Sequence, residues 1–257
     1  MGMFLHDEPD YFPDIRPVGF PRYRQILERD WKRFLLTNML TLISLLPLGV
    51  GVGYAVLSSS VLVLIPACLI GGVFAGPGIA GMYDSILRGL RDEKDDWWLC
   101  YKKAMRQNLL GAILPGILYS LFVGFYIFAV YMLWVSGRPL TLGTAAILSA
   151  SGLLFLMVYS VWWPQIVLFR QRPGTQLKNC VLFCIQFFWR TLLTGVLQLG
   201  WWVLFVVFLP WTAFLVPVLG VWYLWFLCCF LLYRDLDKAF RIEEQLHQAF
   251  PDRYESK

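Results

Sequence analysis

Ionisable side chains are scarce in this chain, and the scarcity excludes more than any motif does. Asp, Glu, Lys and Arg make up 15% of the 257 residues, against roughly a quarter in soluble domains. Four stretches carry none at all: Phe34 to Tyr83, Gln107 to Gly137, Pro139 to Phe169 and Thr191 to Tyr233. With 58% hydrophobic residues and a mean hydropathy of +0.61, the chain is not an ordinary soluble domain. Histidine is scarcer still. His6 and His247 lie in the two terminal segments, so no imidazole can act as base or metal ligand inside the apolar runs. No H-E-x-x-H, G-x-S-x-G or P-loop appears, and neither catalysis, a metal nor a cofactor is expected. No carboxylate falls within an apolar run, the nearest being Asp84 at the end of one. Ion-coupled transporters place such groups inside their spans, so the absence argues against that class, while leaving passive movement of a neutral substrate open. The six cysteines form no C-x-x-C and read as reduced, small apolar side chains.

What the chain does have is apolar length. A span needs about 20 apolar residues, so the two longest runs each hold two helices and the sequence predicts six: 34–57, 61–87, 108–134, 141–169, 191–209 and 211–233. Short turns at Ser58 to Ser60, Ser136 to Leu140 and Pro210 join them as antiparallel hairpins. The expected fold is an all-α membrane protein, with an arm at 1–33, a transmembrane domain at 34–233 and a tail at 234–257. All but one of the Lys and Arg residues fall in the arm, the tail and the two long loops, and Arg138 alone sits in an opposite turn. By the positive-inside rule both termini are cytoplasmic. The net charge of +5 reflects that asymmetry; it fits basic segments facing anionic membrane lipids and gives no reason to invoke nucleic acid. Residues 1–21 carry Asp7, Glu8, Asp10 and Asp14 and no apolar core, so the first span is expected to act as its own insertion signal.

The long basic segments read as amphipathic helices lying along the membrane. In Arg22 to Phe34, one face collects Tyr23, Ile26, Leu27, Trp31 and Phe34. In Asp95 to Asn108, Trp97, Trp98, Tyr101, Ala104 and Met105 oppose Asp95, Lys102, Lys103 and Arg106. In Gln176 to Arg190, Leu177, Val181, Cys184, Ile185 and Phe188 oppose Asn179, Gln186 and Arg190. Each ends in a bulky residue and a cation just before the next apolar run: Trp31-Lys32, Met105-Arg106 and Trp189-Arg190. This reads as three units of interfacial helix plus hairpin, although positive-inside anchoring alone would also place a cation there.

Residues 75–108 run Ala75-Gly76-Pro77-Gly78-Ile79-Ala80-Gly81-Met82-Tyr83, then Leu87-Arg88-Gly89-Leu90-Arg91-Asp92-Glu93, then a Trp-rich helix ending Arg106-Gln107-Asn108. This pattern resembles the YesL-like family of bacterial integral membrane proteins, most clearly over residues 30–130. The Gly78-to-Met82 stretch departs from the family's more usual alanine- and threonine-containing one, and the N-terminal arm is longer. The family has no established activity. Its members often accompany carbohydrate uptake systems, so the resemblance implies a bacterial cell membrane location and an accessory role beside an ABC-type sugar permease or its ATPase.

Three groups of residues carry candidate chemistry. Gly76, Pro77, Gly78 and Gly81, with the i, i+4 pair Asp84 and Arg88, form either a kinked, tightly packed helix or a broken helix lining a substrate path. Trp97, Trp98, Lys102, Lys103 and Arg106 form either a membrane-lying helix or a partner-docking one. Gln198, Trp201, Trp202, Trp222 and Trp225 are either packing volume or the wall of a cavity for a sugar or lipid. Asp95-Asp96 read as helix capping. Asn38, Asn108, Gln165, Gln198, Thr194, Ser149 and Ser151 read as bonds between spans. The leading expectation is a non-enzymatic accessory protein of carbohydrate uptake; the alternative is a small transporter or flippase for a neutral sugar or lipid.

Overall fold

A computed structural model describes residues 17–93, 96–137, 141–169, 171–208 and 211–249, with backbone alone for 246–249. Among these residues the only regular structure is helical: α1 Phe20–Leu57, α2 Val61–Leu90, α3 Trp97–Val135, α4 Leu142–Leu168, α5 Pro173–Gln186, α6 Phe188–Val207, α7 Trp222–Phe240 and α8 Ile242–Ala249, with a 3-10 turn at Trp211–Leu215. Five of these helices, α1 to α4 and α6, are long and apolar enough to cross a membrane. The chain is an all-α membrane protein.

Two of the expected membrane-lying helices are not separate elements. α1 runs without interruption through the Lys32-Arg33-Phe34 junction, and α3 runs through Arg106-Gln107-Asn108. Neither junction contains a residue that stops a helix. At 38 and 39 residues and 1.5 Å per residue, each is about 57 Å long, nearly twice a hydrocarbon core of about 30 Å. The excess of α1 packs on protein. Ile26 and Phe34 are fully buried, and the Phe34 ring lies 5.2 Å from Phe226 and 5.6 Å from Trp222.

Only the third unit separates, because Phe187 leaves helical geometry at φ −114°, ψ 40° between α5 and α6. On α5 the buried side chains are Gln176, Cys180 and Phe183, turned toward α4 and α6. Leu177, Val181 and Ile185 are exposed, so its expected apolar face points away from the protein, as a lipid-facing surface requires.

The expected span 211–233 is not one helix either. A 3-10 turn and further turns occupy Trp211 to Val221, and α7 begins only at Trp222. Pro217 and Gly220, the latter at φ +33°, explain why an apolar run here does not become a regular helix.

The centre of the molecule is the second half of α2. Every residue from Ala75 to Leu87 is buried, surrounded by α1, α3, α4 and α7. A helix apolar on all sides belongs in such a position. Its core neighbours include Trp162, Trp163, Trp225 and Phe226.

Candidate functional site

The Gly-Pro segment is the close-packed axis of the bundle. α2 continues through Pro77 as one helix. A methyl group at Gly76 would strike the Ala112 carbonyl; one at Gly72 would meet Ile117 Cα at 2.5 Å, and one at Gly116 the Gly72 carbonyl at 2.6 Å. On the other sides, Gly78 faces Ser44 of α1, and a methyl group at Gly81 would come within 2.6 Å of the Tyr101 ring. The glycines therefore let α1 and α3 close on α2. Residues 76–81 also have G-x-G-x-x-G spacing, but they lie inside a helix, not in a strand-to-helix turn, so they offer no phosphate cradle.

Just beyond this axis, α1 begins, α2 ends and α3 starts, and the charges there are locked together. Arg22 reaches Asp92 at 2.6 Å and the Leu90 carbonyl at 3.1 Å. Arg29 also binds Asp92, and donates to the Gly89 carbonyl at 2.7 Å. Arg88 joins Asp84 at 2.8 Å to Glu93 at 2.5 Å, and Arg91 meets Glu93 at 2.8 Å. The expected Asp84–Arg88 pair is thus present as part of a larger, mostly buried network. Asp92 holds a left-handed backbone, φ +64°, which Asp tolerates better than most residues. Burial pushes its carboxyl pKa up, but the hydrogen bonds and charges of Arg22 and Arg29 outweigh that and hold it below the usual carboxylate range. Arg33 donates to Ser85 Oγ at 3.2 Å and to the Glu93 carbonyl at 3.2 Å.

The start of α3 divides the expected docking residues. Asp96 caps the helix, accepting from the Leu99 amide at 3.0 Å; Asp95 lies outside the described residues. Trp97 turns inward, its indole N–H donating to Thr37 Oγ1 at 2.8 Å. Trp98, Lys102, Lys103 and Arg106 stay exposed, with the Lys102 ammonium 4.9 Å above the Trp98 ring, a cation–π contact.

The residues expected to line a cavity are dispersed. Gln198 donates to Ser160 Oγ at 2.5 Å and to its own helix at Thr194. Trp222 donates to the Val218 carbonyl at 2.7 Å. Trp225 packs on Tyr83 at 5.2 Å, Trp201 on Tyr223 at 6.2 Å and Trp202 on Phe205 at 5.9 Å. Two apolar grooves of about 450 and 290 Å³ share Tyr223; Trp222 lines the larger and Trp201 the smaller, and neither includes Gln198 or residues 76–81.

Of the polar residues expected between spans, Asn38 makes the most distant bonds. Fully buried, it donates to the Val216 and Pro217 carbonyls and accepts from the Val221 amide at 3.3 Å. Gln165 donates to Cys180 Sγ at 3.1 Å. Thr194 and Ser151 hydrogen-bond to carbonyls of their own helices, and Ser149 is exposed. His6 and the side chain of His247 lie outside the described residues.

The role of Asp92 was not visible in the sequence. Its partners are 70 and 63 residues away, and no local spacing marks them. The Gly89-Leu90-Arg91-Asp92 turn signal was the one available hint. No family model, curated protein or solved structure matches the chain.

Proposed function

We propose that this protein is a non-enzymatic accessory component of the bacterial cell membrane that docks a cytoplasmic or membrane partner through the start of α3. The observation that carries this reading is the exposed Trp98-Lys102-Lys103-Arg106 face, set beside a network whose arginines and carboxylates are engaged with one another. Exposed aromatic and cationic side chains on a rigid helix are the composition of a binding surface. The resemblance of residues 30–130 to the YesL-like family points to an ABC-type sugar permease or its ATPase as the partner, and so to carbohydrate uptake.

In this reading the chain crosses the membrane six times with both termini cytoplasmic. The last crossing combines the irregular stretch from Trp211 with the apolar first part of α7. Arg190 at the start of α6 pairs with Asp235 near the end of α7 at 3.0 Å, which supports a return to the same side. Labelling of single cysteines placed at Ser58 and at Lys102 tests the orientation: only the first should react with an impermeant reagent on intact cells. A small transporter or flippase would need a polar path. The packed glycine axis and the engaged Gln198 support the accessory reading over that alternative.

The test of docking is a photo-crosslinker at Lys102 in native membranes, followed by mass spectrometry. Recovery of permease or ATPase peptides is the expected result. Recovery of lipid or self-adducts alone, with good labelling, overturns it.

A further inference from the structure

Tyr223 is the shared wall of two apolar grooves. The larger, about 450 Å³, is bounded by Leu27, Trp31 and Leu35 of α1 and by Leu219 and Trp222. The smaller, about 290 Å³, lies between α6 and α7 along Trp201, Leu204 and Leu227. Both open at the surface beside exposed apolar residues such as Val218 and Leu204. The larger groove is walled in part by Val218 and Leu219 of the irregular stretch from Trp211 to Val221.

Charge at the rim is selective. The one carboxylate lining the larger groove, Glu28, is taken by Arg24 at 2.6 Å. Lys32 is exposed and stands 5.8 Å from the centre of the Trp31 ring that walls the groove. Among the described residues it makes no ion pair. Lys32 lies two residues before the charge-free run that starts at Phe34, at the depth where a long cation reaches headgroups while its neighbour meets acyl chains.

We propose that this face is a binding site for one two-chain anionic phospholipid, with an acyl chain in each groove, Tyr223 between them and the headgroup phosphate against Lys32. An apolar groove open to the bilayer is filled by acyl chain whatever the lipid. The free ammonium at the rim is what makes the site discriminate by headgroup charge, and the paired groove is what makes it discriminate by chain number. A partner helix seated here would instead have to match two grooves separated by a tyrosine ring and leave Lys32 without an anion.

The test reconstitutes the full chain in equimolar phosphatidylcholine and phosphatidylglycerol vesicles, extracts it in mild detergent and counts retained lipid by native mass spectrometry. One cation near a headgroup predicts about a fivefold preference for phosphatidylglycerol. Lys32→Gln brings the two lipids to near parity without reducing total retention. Leu219→Trp, which fills the larger groove, lowers retention of both. Lysophosphatidylglycerol, with one chain, is held less well than phosphatidylglycerol. Equal retention of the two lipids by the native chain, or an unchanged preference in Lys32→Gln, overturns the headgroup assignment; equal retention of the one-chain lipid overturns the paired-groove assignment. Lys32 is exposed, so its variant stays informative even where the groove-filling variant does not fold. Because both leaflets of these vesicles are alike, the result is independent of topology, and failure leaves the docking face of α3 untouched.

Discussion

The side-chain amide of Asn38, in α1, donates to the backbone carbonyl of Pro217 at 3.1 Å across 179 residues of chain. The same side chain donates to Val216 and accepts from the Val221 amide. One buried amide therefore serves three backbone groups in a stretch that has no regular helix to satisfy them. Irregular backbone in a membrane protein persists only where such partners exist.

Replacing that amide should loosen the stretch. Asn38→Leu leaves two part-buried carbonyls and the buried Val221 amide unpaired, the buried amide alone costing about 1–3 kcal/mol. The expected outcome is a lower melting temperature in detergent, with faster hydrogen exchange confined to residues 216–221. Unchanged exchange there would mean that the three bonds do not hold the segment.

Asp92 joins Arg22 and Arg29 to the α2–α3 turn. Asp92→Asn keeps a residue that accepts a left-handed backbone but removes the charge, and should cost about 3 kcal/mol for a buried pair broken on one side. Because the folded carboxyl is held below its ordinary pKa, the charge contribution is complete above the unfolded value near 3.9. It fades as pH falls from there through the lower folded pKa. Thermal unfolding of the native chain should therefore fall more steeply with acid than that of Asp92→Asn. Parallel curves would remove Asp92 from that role.

The glycine axis predicts a steric effect. Gly76→Val places side-chain atoms against the Ala112 carbonyl and Gly116, with an overpacking cost of at least about 1–3 kcal/mol. Gly49→Ala, where nothing lies within 4 Å, should leave stability nearly unchanged. Melting curves of the two variants make the comparison.

Adjacent tryptophans should behave differently. Trp97→Phe loses the bond to Thr37 and about 1 kcal/mol of stability. Trp98→Ala leaves the melting temperature within error and instead weakens crosslinking from Lys102. If both substitutions change stability alike, Trp98 is not a free contact surface.

Composition and charge spacing were enough to determine that this is a helical membrane protein and where its basic segments fall, since insertion depends on the length of apolar runs and the position of cations. The Asp84–Arg88 pair and the Asp96 cap were equally legible, because both are contacts within a few residues. The sequence could not say that α1 and α3 continue through their basic junctions, because cations mark where a chain meets the membrane surface and not whether its backbone bends there; Arg33, at the first junction, finds Ser85 and the Glu93 carbonyl 52 and 60 residues away. Nor could it say that the last apolar run is broken at Trp211 to Val221: hydrophobicity specifies that a segment is buried or lipid-facing, but not that its backbone is helical. Pro217 and Gly220 interrupt the helix there, Asn38 satisfies the backbone groups left open, and only the packing of α1 against the start of α7 brings it to them.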